Sequence, residues 1–170
     1  MIEAAILMIF PLCLLIAAVS DLRTMTIPNR LPVILLCGFL VLALFSALGL
    51  PGIGLHLAAG AIVLAVCFVL FALNVMGGGD AKLLAAAAPW FGLNPSLLLF
   101  VIYVAYSGGV LTLLILLLRW RSQTIMAIGL PVPHSILHAK KIPYGIAIAI
   151  GGFLAFPSSP LVVAALANLH

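Results

Sequence analysis

The chain has very little charge. Of its 170 residues, only 6% are Asp, Glu, Lys or Arg, whereas 66% are hydrophobic. A soluble domain carries about 25% charged residues, so this composition excludes a protein whose surface faces water. Apolar runs of about 18 residues or more are typical of membrane helices. The sequence therefore predicts an all-α, polytopic membrane protein, with residues 1–170 forming one domain.

Cysteine is also scarce, and nothing in its spacing indicates a metal site. Cys13, Cys37 and Cys67 lie singly in apolar runs, without a CxxC motif, so they are interpreted as small buried hydrophobic residues. The histidines are scattered over predicted loops and the carboxyl terminus, and we assign them no chemistry: they are His56, His134, His138 and His170. We expect no metal and no cofactor.

The amino terminus lacks the basic region of a secretory signal peptide and opens with Glu3 instead. The small residues at positions 17–20 leave cleavage open as an alternative. We interpret the first apolar run as a spanning helix.

Six apolar segments follow one another along the chain. The second and third are separated by Leu50-Pro51-Gly52, which is typical of a turn. The fourth spans only about 18 Å, against about 30 Å for the hydrocarbon core, so it is either re-entrant or runs on through a kink at Pro89. The segments cover approximately residues 2–20, 31–49, 53–75, 80–92, 95–118 and 143–169.

The basic residues favour six crossings. If every segment crosses, all 7 Lys and Arg residues lie on one face, which the positive-inside rule makes cytoplasmic. If the fourth segment does not cross, the charges after the fifth move to the other face. We therefore predict six transmembrane helices with a short fourth helix, and both termini on the non-cytoplasmic side.

Acidic residues are the rarest charge, and two of the 3 lie where chemistry is plausible. Asp21 follows the first segment and Asp80 opens the fourth, so the predicted topology places both at the cytoplasmic face. Two neighbouring carboxylates that share a proton can activate water and polarise a peptide carbonyl, as in aspartyl proteases. The alternatives are an interfacial acid at Asp21 and a helix cap at Asp80.

Three glycines precede Asp80 and form a GxGD pattern. Gly77, Gly78 and Gly79 expose backbone, along which an extended peptide substrate could hydrogen-bond. Lys82 either extends to the lipid headgroups or orients the site. We predict a catalytic pair, Asp21 and Asp80, with substrate binding by the three glycines and Lys82.

Three motifs in this order resemble the type IV prepilin peptidase family over essentially the whole chain. They are Asp21 with Ile27-Pro28-Asn29, then Gly77-Gly78-Gly79-Asp80-Ala81-Lys82, then Lys141-Ile142-Pro143-Tyr144-Gly145.

The chain is similar to the short form of this family that serves tad-type (Flp) pili. The resemblance implies an aspartyl endopeptidase of the bacterial inner membrane, with Asp21 and Asp80 as catalytic residues. It would cut the basic leader from a prepilin or pseudopilin at the cytoplasmic face. Its partners would be that substrate and the lipid bilayer, without nucleic acid; the oligomeric state is left open. The cysteine-bearing insertion of the longer, methylating form is absent.

Two alternatives belong to other classes. A small proton-coupled transporter would place its carboxylates near the bilayer midplane, whereas both predicted positions lie at helix ends. A non-catalytic subunit of a pilus or secretion assembly would leave pilin processing normal in a deletion strain.

Overall fold

The computed structural model describes residues 2–46, 48–120 and 142–167. These residues form helices and short connections, and no strand occurs among them, which confirms the all-α prediction. The helices are α1 (Ile2–Thr24), α2 (Arg30–Leu44), α3 (Gly49–Ala72), α4 (Gly78–Ala87), α5 (Pro95–Trp120), α6 (Tyr144–Ala155) and α7 (Pro160–Ala167), with 3₁₀ turns at Ala88–Trp90 and Phe156–Ser158.

Three of these helices are long and apolar enough to cross a membrane. They are α1, α3 and α5, with 23, 24 and 26 residues. A fourth candidate span is the pair α6 and α7, if its 46° bend lies within one crossing. The shorter α2 is also apolar. The chain is therefore a membrane protein with three or four candidate spans, and the six crossings remain a prediction.

The structure moves two of the predicted boundaries. Helix α1 continues to Thr24, so Asp21 lies in its last turn rather than after it. The turn predicted at Leu50-Pro51-Gly52 is wrong, because α3 already begins at Gly49. Pro51 occupies the first turn of α3, where a missing N–H costs no helical hydrogen bond.

The sixth predicted segment is not one continuous helix. It divides into α6 and α7 around the 3₁₀ turn, with Pro157 and Pro160 at the break. Proline lacks an N–H and clashes with the preceding turn, which interrupts a helix. The predicted end of this segment, Leu169, lies outside the described residues.

Helix α6 packs against α1, α4 and α5, and two glycines allow the closest approaches. A Cβ atom on Gly151 would overlap the backbone of Val104 in α5, and one on Gly152 would overlap Leu14 in α1. Small residues let helix backbones approach in membranes. This packing fixes the start of α6 beside the end of α1.

An aromatic cluster forms the core near the carboxyl end of α4. We define it as Phe10, Trp90, Phe91, Phe100 and Phe156. Phe10 contacts the Trp90 ring at 5.2 Å between centroids and stacks on Phe156 at 4.8 Å. Phe91 stacks on Phe100 at 4.6 Å. The cluster therefore joins α1, α5 and the end of α6 to the turn that follows α4.

The carbonyls at this end of α4 receive side-chain donors from other helices. The end of a helix leaves carbonyls without helical partners, and such groups need donors when buried. Ser159 donates its hydroxyl to the Trp90 carbonyl at 2.6 Å, and the Nδ1 of His56 bonds to the Pro89 carbonyl. His56 is therefore a buried residue of α3, and the prediction that placed it in a loop is wrong. His134, His138 and His170 lie outside the described residues.

Candidate active site

Asp21 and Asp80 line the same cavity. Its volume is about 250 Å³. We call it the aspartate cavity. It lies where the end of α1 and the α1–α2 connection meet the start of α4. The other lining residues are Met25, Thr26, Ile27, Asn29, Gly77, Gly78, Gly79 and Ile142.

Asp21 is held by α6. Its side chain is 5% exposed, and its Oδ2 accepts a hydrogen bond from the backbone N–H of Gly145 at 2.7 Å. A Cβ atom on Gly145 would lie 2.9 Å from both the Cβ and the Oδ2 of Asp21. The close approach therefore requires glycine at this position, and it fixes the orientation of the carboxylate.

Asp80 lies in the first turn of α4 and is partly exposed. An acidic side chain is stabilised there, because the first N–H groups give a helix a positive end. The residue before the helix, Gly77, is extended, with φ −72° and ψ 142°. A Cβ atom on Gly77 would lie 2.7 Å from the Oδ2 of Asp80. Glycine at 77 therefore leaves room for the carboxylate to fold back over the chain.

The other two glycines differ from Gly77 because they are helical. Gly78 and Gly79 belong to α4, so the helix begins two residues before Asp80, where the fourth segment was predicted to start. A Cβ atom on Gly79 would lie 3.3 Å from Ile27, and one on Gly78 would lie 3.3 Å from the Phe71 ring. Both glycines line the aspartate cavity. Their small size lets the α1–α2 connection close onto the start of α4.

Lys82 lies outside the aspartate cavity. Its ammonium group donates to the side-chain oxygen of Asn29 at 3.1 Å, which links α4 to the residue before α2. Asn29 itself lines the aspartate cavity. Lys82 is therefore one contact away from the site rather than part of its wall.

The α1–α2 connection is shaped by its own hydroxyl groups. Ser20 donates to the Thr26 carbonyl at 2.9 Å, and Thr24 donates to the Ser20 carbonyl at 2.9 Å. Met25 adopts a positive φ of 53°, which turns the chain sharply after α1. These contacts fold the connection back over Asp21 and form one wall of the cavity.

Three lining or supporting residues were not predicted as site residues: Gly145, Ile142 and Asn29. The only signal in the sequence was that Asn29 lies in the Ile27-Pro28-Asn29 motif and that the other two lie in the motif at residues 141–145. Both motifs also have ordinary structural explanations. Ile142 and Gly145 lie in a stretch interpreted as a basic anchor and helix start, and Asn29 was interpreted as part of a helix start. Lys140 and Lys141, which precede Ile142, lie outside the described residues. Among the described residues, no group of three or more His, Cys, Asp or Glu side chains could hold a metal ion.

Residues 8–113, more than half of the chain, match the model of the Type IV leader peptidase family. The chain belongs to this family. No curated protein and no solved structure matches it. The family match includes both aspartates and the three glycines, and it ends within α5. Helix α6, which supplies the Gly145 contact to Asp21, lies beyond the matched residues of this leader peptidase.

Proposed function

We propose that this leader peptidase is an aspartyl endopeptidase that removes the basic leader of Flp-type prepilins at the cytoplasmic face of the bacterial inner membrane. The observation that supports the proposal most strongly is that Asp21 and Asp80 line one cavity of about 250 Å³. They are two of the chain's 3 acidic residues. A chain with so few carboxylates and two of them in one cavity is suited to acid–base chemistry.

The proposed reaction needs a water molecule and one shared proton. Two carboxylates in a small cavity do not both ionise readily, so the pair holds one proton between them. The ionised member removes a proton from water, which attacks the scissile carbonyl. The protonated member donates its proton to the carbonyl oxygen. When the resulting intermediate collapses, the C–N bond breaks, the leaving amine takes the proton that was removed from water, and the hydroxyl proton returns to the carboxylate that donated it. The two groups titrate as a pair.

The two carboxylates are held in different ways. Asp21 is buried and fixed by the Gly145 N–H, whereas Asp80 is partly exposed at the start of a helix. We infer that the Asp21 carboxylate keeps one orientation and that the Asp80 carboxylate faces the incoming substrate. In the same proposal, Gly77, Gly78 and Gly79 contact the substrate. Lys82 orients the wall of the aspartate cavity through its hydrogen bond to Asn29.

The arrangement of chain connections supports the six-crossing topology. The aspartate cavity is formed by the α1–α2 connection, the residues before α4 and the residues before α6. Connections that alternate along the chain meet at one end of a bundle when every helix crosses. We therefore propose six crossings with the basic residues on the cytoplasmic side. Thiol labelling of cysteines introduced at positions 21 and 80 tests it, and labelling from opposite sides would contradict it.

The activity is tested with the full chain in membranes and a Flp-type prepilin. We expect Asp21→Ala and Asp80→Ala each to lower cleavage at least about 1,000-fold, since each removes half of the acid–base pair. Glu3→Gln is the matched control, because Glu3 lies about 27 Å along α1 from Asp21, and it should cleave at the wild-type rate. Full cleavage by both aspartate variants would overturn the proposal.

A further inference from the structure

A second cavity lies beside the aspartate cavity, and the proposed reaction does not use it. It is a groove of about 500 Å³ between α2, α3 and α4. We call it the α2–α4 groove. Its sides include Val33 and Leu36 from α2, and Leu57 and Leu64 from α3. All four side chains are exposed, so the groove is open to the surroundings of the helices.

The floor of the groove is a close contact between α3 and α4. A Cβ atom on Gly60 would lie 2.8 Å from the Pro89 ring and 3.1 Å from the Ala85 carbonyl oxygen. Because Gly60 has no side chain, α3 and α4 lie close together here, and the space of the groove above this contact stays open. The lining is apolar except at one end, and α3 is a candidate membrane span, so an occupant that lies beside α3 within the membrane must be apolar.

One end of the groove is polar. Of the described residues that line it, only Lys82 and Asn29 have polar side chains, and they are hydrogen-bonded to each other at 3.1 Å. Asn29 also lines the aspartate cavity, and Lys82 follows Asp80 by two residues. The groove and the aspartate cavity therefore adjoin at Asn29.

We propose that the α2–α4 groove holds an apolar, helical segment of the substrate that lies on the carboxyl-terminal side of the scissile bond. This inference rests on the proposed function. A chain cut in the aspartate cavity must leave it in two directions, and the adjoining groove is the apolar one. Within the membrane the segment must pair its own backbone groups, so it is a helix.

The charge at the junction sets the direction of the substrate. Lys82 places a positive charge where the groove meets the aspartate cavity. Like charges repel, so the ammonium group disfavours entry of a basic leader into the groove. The leader then lies on the watery side of the cavity, and the apolar segment lies along α2 and α3. The groove thus determines which side of the scissile bond lies in the membrane.

The first experiment fills the groove. Ala61 lines it and is exposed, whereas Ala65 on the same helix is exposed but does not line it. We expect Ala61→Trp to raise KM for a full-length prepilin in membranes at least about 10-fold, and Ala65→Trp to leave KM within about twofold of wild type. A peptide that contains the leader and scissile bond but lacks the apolar segment should be cleaved equally by both variants.

The outcomes separate this inference from the proposed function. Equal KM values for the two tryptophan variants on full-length prepilin would overturn the groove assignment while leaving the peptidase activity intact. Failure of the wild-type protein to cleave either substrate would overturn both. Slow cleavage of both substrates by Ala61→Trp would place its effect on the catalytic site and would also overturn the groove assignment.

The second experiment does not depend on turnover. A photoreactive phenylalanine analogue replaces Val33, which lines the groove, or Val41, which is exposed on the same helix and does not line it. Both are made in the Asp80→Ala protein so that the prepilin stays uncut. We expect prepilin adducts at position 33 at least about fivefold above those at position 41. Equal prepilin adducts at the two positions would overturn the proposal. Adducts with phospholipid alone would also overturn it and would assign the groove to lipid.

Discussion

The two ends of α4 are built in opposite ways. At its carboxyl end, large aromatic side chains pack around Trp90, which is fully buried, and its carbonyl accepts a hydroxyl donor. At its amino end, glycines and chain connections surround a polar cavity. Close van der Waals contacts between helices contribute much of the stability of a membrane core. The comparison separates an end of α4 built for stability from the end where we propose that the chemistry takes place.

The largest expected effect is on the stability of the aromatic end. Trp90→Ala removes a ring in contact with Phe10 and leaves a cavity, which costs about 3–5 kcal/mol of unfolding free energy. Thermal unfolding in detergent measures this loss. At a temperature where the variant is folded, its kcat should stay within about threefold of wild type. A stable but inactive variant would contradict the division between the two ends.

The next largest effect should be a lower rate of cleavage, without a loss of folding stability. Gly145→Ala places a methyl group against the carboxylate of Asp21, which displaces the group that we propose to be catalytic. We expect kcat to fall about 10- to 100-fold with KM nearly unchanged. Gly145 acts through Asp21, so it is a positioning residue.

Gly152→Ala is the control for Gly145→Ala. Gly152 lies on the same helix, α6, but away from the site, and its added methyl group would crowd Leu14 of α1. Gly152→Ala should lower the melting temperature and leave kcat unchanged. The same loss of kcat in both variants would show that any disturbance of α6 has this effect, and Gly145 would then have no special role.

A smaller effect is expected from the donor to the Trp90 carbonyl. Ser159→Ala leaves this buried carbonyl without its side-chain donor, which costs about 1–3 kcal/mol of unfolding free energy. Thermal unfolding compared with Ser158→Ala, a neighbouring part-buried serine that bonds only to its own turn, measures the difference. Equal destabilisation by the two changes would show that the contact between helices is unimportant.

The smallest effect compares two adjacent glycines of α5. A Cβ atom on Gly108 would overlap the Tyr144 ring, whereas one on Gly109 would meet nothing within 4 Å. Gly109→Ala should therefore change neither melting temperature nor rate, and Gly108→Ala should lower both by displacing the residue before Gly145. Identical behaviour of the two variants would show that the Tyr144 contact is not needed to support the site.

The sequence was informative where a local pattern determines the structure. Apolar run lengths predicted helices, and the predicted start of the fourth segment at Asp80 lies two residues after the observed start of α4 at Gly78. Local pattern does not reveal which helices are neighbours. The main neighbours of α4 are α2, α3 and α6, and the contact between Gly145 and Asp21 joins residues 124 positions apart. No periodicity in a single chain records such a contact.

Two of the predictions that proved wrong have different explanations. Leu50-Pro51-Gly52 is typical of a turn, yet the same residues suit the first turn of α3 because proline tolerates that position. His56 has no local signal at all, since its partner is a carbonyl 33 residues away. A local tolerance of proline therefore explains the first error, and a tertiary contact explains the second.

The donors at the end of α4 also hold one end of that helix in place. The turn after α4 is hydrogen-bonded to His56 of α3 and to Ser159, the residue before α7. This turn is therefore the fixed end of α4. Helix α4 is about 15 Å long, so a rotation of about 5° about this turn would move its amino-terminal end, with Asp80, by roughly 1 Å. A small rotation of this short helix would therefore be enough to change the separation of Asp80 and Asp21.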